Sequence, residues 1–258
     1  MIRHAEHVMG TVFSFDVRHQ STSALRAALA GAVGWLHRVD EVFSTYRPGS
    51  HVSRLGRGEI DLADCPAEVG EVLDLCAAAS AASGGCFTAT PGGRLDPSGL
   101  VKGWAVERAS AMLRAAGATC HAVNGGGDVR LSGEAAPGRP WRTGIADPLR
   151  PGGLAAVVSG RDLAVATSGV AERGAHVLDP RSGRPASELA SVTVVAADLA
   201  WADALATAAL AMGDQAREWL AGLPGVAAFA VLPSGGRWWT PDFPRYAPEV
   251  AGRSCAIP

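Results

Sequence analysis

Runs with strand character recur between helical stripes in an order that is not a strict alternation, and that order most restricts the fold. Thr11 to Val17 sets Phe13, Phe15 and Val17 against Ser14 and Asp16, the period of a half-buried strand. Further strands are predicted at Thr119–Val123, Val129–Ser132, Leu154–Ser159, Leu163–Thr167, Ser191–Ala196 and Val226–Leu232. A helix capped by Ser23 carries the stripe Leu25, Leu29, Val33, Leu36, Val39, Phe43. Pro66 opens a second, with Val69, Val72, Leu73 and Cys76, and a third runs from about Lys102 to Ala116 with Gly117 as its stop. A fourth spans about Trp201 to Met212, and a fifth Asp214 to Leu220. Helices arrive singly between groups of strands. The expectation is therefore an α+β fold, a largely antiparallel sheet flanked by helices, and not a doubly wound parallel sheet. No repeat or long linker divides the chain, so residues 1–258 are read as one domain. At 48% hydrophobic there is ample material for its core.

A net charge of −2 with scattered arginines excludes a general nucleic-acid footprint. No stretch reaches transmembrane length, and the first residues hold no apolar signal region, so no stable membrane insertion is expected. Cys65, Cys76, Cys86, Cys120 and Cys255 form no C-x-x-C pair and read as reduced thiols of a cytoplasmic protein. A trimmed exported chain would look the same.

Of 23 basic residues, 22 are arginine; the one lysine is Lys102, in Asp96-Pro97-Ser98-Gly99-Leu100-Val101-Lys102-Gly103. Lysine is a compact point charge where arginine is a wide planar fork, so retention against this bias points to a position that arginine would not serve. At a helix start beside glycine it forms an anion site or stands solvated at a turn. The one asparagine, Asn124, opens Asn124-Gly125-Gly126-Gly127-Asp128, which is either a backbone nest for a phosphate or ring oxygen or a tight strand-to-strand turn.

Asp203 and Thr207 are four apart and share a helix face among small and apolar residues. With a backbone carbonyl they make a hard-oxygen set suited to Mg²⁺, which takes few protein groups; the plainer reading is an aspartate capping its helix. His176 enters an apolar strand ahead of Asp179-Pro180, either as a general base or as a structural histidine.

In order along the chain, Val8-Met9-Gly10-Thr11, Phe43-Ser44-Thr45-Tyr46-Arg47-Pro48, Gly85-Cys86-Phe87-Thr88-Ala89-Thr90, Asp96–Trp104, Asn124–Asp128, Ile145-Ala146-Asp147-Pro148, Ala166–Gly169, His176–Gly183 and Asp203–Thr207 together resemble the FAD:protein FMN transferase (ApbE) family. The resemblance implies an α+β fold with a cleft for FAD. It also implies Mg²⁺-dependent transfer of FMN from FAD to a threonine of an acceptor flavoprotein, with release of AMP. It implies that Met9, Tyr46, Cys86, Phe87, Thr88, Asp96, Lys102, His176 and Val177 contact FAD. It further implies that Asp203, Thr207 and the Gly99 carbonyl hold the metal. Lys102, Asp203 and His176 would be catalytic, His176 as base for the acceptor threonine or as a flavin contact. Relatives often carry Asp in a Phe-Asp-x-Thr stretch where this chain has Phe87-Thr88-Ala89-Thr90. The same residues would serve an Mg²⁺-dependent FAD pyrophosphatase giving FMN and AMP, or a non-catalytic FAD-binding protein.

Overall fold

A computed structural model describes residues 1–169, 177–179 and 183–251. Ten strands are described: β1 Ile2–Val8, β2 Thr11–Val17, β3 His121–Gly125, β4 Asp128–Ser132, β5 Trp141–Ala146, β6 Leu154–Gly160, β7 Ala164–Gly169, β8 Ser191–Ala196, β9 Ala227–Val231 and β10 Arg237–Trp239. The helices are α1 Ser23–Phe43, α2 His51–Gly56, α3 Ala67–Ala82, α4 Ser98–Ala115, α5 Leu199–Met212, α6 Ala216–Ala221 and α7 Pro248–Ala251. Eight strands form one sheet in the order β1-β2-β3-β4-β7-β8-β9-β10, every neighbour antiparallel, while β5 and β6 make a separate hairpin. The expected α+β, antiparallel architecture is what the chain adopts.

Two apolar layers hold it. One lies between the sheet and the helices, where Phe13, Phe15, Leu36, Leu100, Leu113, Val194 and Leu205 are buried. The other packs Val129, Val165, Phe229 and Val231 against the β5–β6 hairpin and the segment around Phe243. Every residue of β8 and β9 is buried, as expected of strands covered on both faces, and β9 is accordingly apolar throughout while β8 interrupts its apolar run only with Ser191 and Thr193.

Thr22 rather than Ser23 caps α1, its hydroxyl accepting from the Leu25 N–H at 3.1 Å. The third predicted helix starts earlier than expected, at Ser98, which leaves Lys102 one turn inside α4. Strand β1 was not anticipated. Its helix-facing residues include His4 and Glu6, which pair with each other and, through Glu6, with His37 of α1. A polar inner face on an edge strand erases the apolar period that would reveal it. Among the described residues no helix is long and apolar enough to cross a membrane.

Candidate functional site

The crossing of α4 and α5 positions most of the expected residues. A Cβ on Gly103 would lie 2.5 Å from the Leu199 carbonyl oxygen and 2.8 Å from the Asp203 Cβ. Only glycine permits so close an approach of two backbones. Asp203, 3% exposed, therefore reaches the Gly103 N–H with Oδ2 at 2.9 Å. One turn on, the Thr207 hydroxyl meets the Gly99 carbonyl oxygen at 3.3 Å and the Ser168 hydroxyl at 3.2 Å. Asp198, not Asp203, caps α5, accepting the Trp201 N–H at 2.8 Å. That removes the capping reading of Asp203: its carboxylate is buried in the helix interface, where a charged group needs bonding partners.

Lys102 extends from the next position of α4 to an ion pair with Asp128 at the start of β4. Asp128 is essentially enclosed, with a side-chain exposure of 1%, and its Oδ1 also accepts the Thr167 N–H at 3.0 Å. Neighbouring residues of β7 thus tie the two clusters together, Thr167 to Asp128 and Ser168 to Thr207. Glu107 braces the same region. One carboxylate oxygen takes the Arg130 Nε at 2.9 Å and the other the Leu199 N–H, also at 2.9 Å, joining α4 to β4 and to the start of α5. Sequence reasoning missed Asp128 and Glu107 as partners. Asp128 was legible only as the end of the glycine run, and Glu107 as one more charge on a helix.

The glycine run is a turn and not an anion nest. Gly126 and Gly127 both have positive φ (59° and 99°), as the tightest hairpin turns require. The Gly127 N–H is taken by the Asn124 side-chain oxygen at 2.9 Å, and the Gly126 N–H by the Val12 carbonyl at 3.2 Å. Two donors a ligand would need are spent internally. Likewise the Asp96 carboxylate accepts the Ser98 N–H at 3.0 Å, so the start of α4 is already occupied by an acidic group. Beside the β3–β4 turn lies the β1–β2 turn, where Met9 holds a φ of 51°, one of two non-glycine residues with positive φ among those described. Strain of that kind clusters at functional sites.

The remaining expected FAD contacts are spread out. Phe87 is 1% exposed, its ring in the main apolar layer within 3.3 Å of where a Gly99 Cβ would stand; Cys86 is also buried. Thr88 is half-buried and turns its hydroxyl onto the Thr90 N–H at 3.1 Å. Tyr46 is 93% exposed on the turn after α1. Val177 is half-buried and packs at the margin of the main layer. His176 lies outside the described residues.

Among the described residues no three His, Cys, Asp or Glu side chains gather as metal ligands. A cation here would instead meet one carboxylate, one hydroxyl and one carbonyl, all hard oxygens on facing turns of α4 and α5. That donor set fits a small divalent cation that keeps much of its water.

The ApbE family model matches residues 9–93 and 89–230 of the chain. Among curated relatives, the FAD:protein FMN transferase of Rhodobacter capsulatus is 33% identical over 174 residues, covering 64% of this chain and 33% of that protein. That of Vibrio cholerae is 34% identical over 131 residues, covering 47% and 39%. The chain thus spans between a third and two fifths of the length of these two relatives. The solved flavin transferase ApbE of Vibrio cholerae superposes with a TM-score of 0.82 at 21% identity, over 95% of this chain and 98% of the other. The ApbE protein of Thermotoga maritima gives 0.83 at 24%, with the same coverage.

Proposed function

The chain belongs to the ApbE family, and from that premise we propose that it is an FAD:protein FMN transferase, moving FMN from FAD to a threonine of an acceptor flavoprotein and releasing AMP. The observation that carries the reading is the convergence at one helix crossing of a cation paired with a buried carboxylate and a set of three hard oxygens. In the reaction the threonine oxygen bonds to the FMN phosphorus and the bridging oxygen departs with AMP. The hydroxyl proton must go to a base, the part assigned to His176 by the resemblance. Lys102 brings positive charge to phosphoryl oxygens on which charge builds, and Asp128 holds that ammonium in place. Asp203, Thr207 and the Gly99 carbonyl would hold Mg²⁺, which when bound neutralises charge on the pyrophosphate. Thr207 is oriented by Ser168 and Gly99, and Asp203 by the Gly103 N–H. Met9, Tyr46, Thr88, Asp96 and Val177 would contact the dinucleotide, with Cys86 and Phe87 backing the pocket from the apolar layer.

The four described cysteines are all thiols, which supports a reducing, cytoplasmic setting. The test incubates the full chain with FAD, Mg²⁺ and candidate acceptors and follows AMP and the acceptor's intact mass. AMP at full rate with no adduct would point instead to an FAD pyrophosphatase.

A further inference from the structure

The face of the sheet away from the helices is covered from β4 to β9 by the β5–β6 hairpin and the segment around Phe243. Beside that cover, along β1 to β3 and up to β4 and the hairpin at Trp141, Arg142 and Thr143, runs an open groove of about 960 Å³. Its floor over β1 to β3 carries the small side chains Ala5, Ser14 and Ala122, with Ser14 opposite both Ala5 and Asn124 in cross-strand register, and it ends toward β4 on the buried Leu131 opposite Ala122. Small residues on an outward face leave a trough where larger ones would fill it. Its walls are basic. Arg3 and Arg18 share the single lining carboxylate, Asp16, at 3.6 and 2.8 Å, while Arg139 and Arg142 make no ion pair among the described residues. In a chain of net charge −2, four arginines around one aspartate form a local reversal of sign. The groove ends at Asn124 and Val129, each one residue from the turn that carries Asp128.

We propose that this groove binds an extended acidic segment of the acceptor protein; naming the acceptor rests on the transfer reading above, which requires a macromolecular partner. Charge complementarity selects an acidic ligand. The floor favours polypeptide over nucleic acid, because its rings are already engaged and offer bases little to stack on: Phe15 is buried and His4 is hydrogen-bonded to Glu6. The lining tryptophan, Trp141, is covered by the Arg18 guanidinium 5.1 Å from its ring centre, and its Nε1 donates to the Ser132 carbonyl. Crossing from β1 to β4 spans three strand spacings of about 4.8 Å, roughly the reach of four or five extended residues.

The probe is a labelled ten-residue peptide of alternating glutamate and valine, titrated with the full chain by fluorescence anisotropy. Binding is expected to weaken as salt rises and to fall at least tenfold in Arg139→Glu/Arg142→Glu. Both side chains are exposed, so the unfolding midpoint should hold; Arg139→Gln/Arg142→Gln should lose less. The peptide should also inhibit transfer to a protein acceptor without weakening the binding of FAD. No binding by the wild type, equal binding by the charge-reversed variant, or tighter binding of a single-stranded oligonucleotide would overturn the proposal. Binding without inhibition of transfer would overturn the acceptor assignment. A wild type that transfers no FMN counts against the function above, and the groove is then decided by the binding arm alone.

Discussion

The ammonium of Lys102, the chain's one lysine, is paired with the carboxylate of Asp128, whose side chain is almost wholly enclosed and also accepts the Thr167 N–H. The pair bridges α4 to the β3–β4 turn and sets the position of the cation. Arginine carries the same charge but offers a wide fork in place of a point. Lys102→Arg is therefore expected to cut AMP release at least tenfold, about 1.4 kcal/mol in the barrier. Steady-state kinetics at saturating FAD would show this, and wild-type kinetics would make the lone lysine an accident of composition.

Asp128→Asn keeps a hydrogen-bond acceptor for Thr167 but removes the charge facing Lys102. Breaking a pair with one enclosed partner should cost on the order of 3 kcal/mol in urea unfolding. A double variant with Lys102→Met should recover part of that loss, since the stranded charge is then gone. A loss in the double variant equal to the sum of the two single ones would show that the pair contributes nothing.

Thr207→Val preserves shape and removes the hydroxyl that meets the Gly99 carbonyl and Ser168. One half-buried hydroxyl contributes about 1 kcal/mol to folding, so unfolding should shift little. Mg²⁺-dependent turnover should fall at least tenfold, with a higher Mg²⁺ concentration at half-maximal rate. An unchanged Mg²⁺ response would remove Thr207 from the metal set.

Two glycine substitutions should move stability in opposite directions. Gly103→Ala drives a methyl into the Leu199 carbonyl and should cost about 1–3 kcal/mol, with loss of activity as α5 is pushed from α4. Gly34→Ala, on the exposed face of α1 with nothing within 4 Å of a new Cβ, should gain about 0.5–1 kcal/mol. Thermal unfolding of both variants checks the pair.

His121, fully buried, is pushed down from 6.5 to about 4, chiefly by desolvation. The Ala118 carbonyl can only accept, so Nδ1 carries the proton and Nε2 accepts from the Ser110 hydroxyl, both at 2.7 Å. Its folded pKa lies below its unfolded one, so between these values the unfolded chain binds more protons. The stabilisation is full above pH 6.5 and drains as pH falls toward 4. Urea unfolding should show stability declining between pH 6.5 and 5, before most carboxylates titrate. His121→Gln should flatten that decline, and an unchanged slope would contradict the assignment.

What the residues announced and what they hid divides along physical lines. Strands such as β2, with Phe13, Phe15 and Val17 turned inward, and helices such as α1, with one apolar stripe, were legible because a single buried face writes its period into the chain. β1 was hidden because its inner face meets α1 through His4, Glu6 and His37. Among the site residues, the Asp203–Thr207 spacing revealed one helix face, and the fold brings that face onto Gly99 and Gly103. The Lys102–Asp128 pair is separated by 26 residues, with the rest of α4 and the strand β3 between them, a distance no local pattern spans. The glycine run left two readings open because a nest and a tight turn ask for the same residues; the Asn124 side chain, which closes the turn, makes the difference. Phe87 reads as an aromatic in a motif, while its burial beside Gly99 depends on packing that only the folded chain has.

Transfer of FMN from FAD to protein is the central claim, and intact-mass spectrometry of an acceptor after incubation with the chain, FAD and Mg²⁺ tests it most directly. The account predicts that the acceptor gains one FMN phosphoester on a threonine, that AMP appears in equal amount, and that Asp203→Asn abolishes both. An acceptor of unchanged mass with FAD intact, or free FMN and AMP with no adduct on any acceptor, would contradict it.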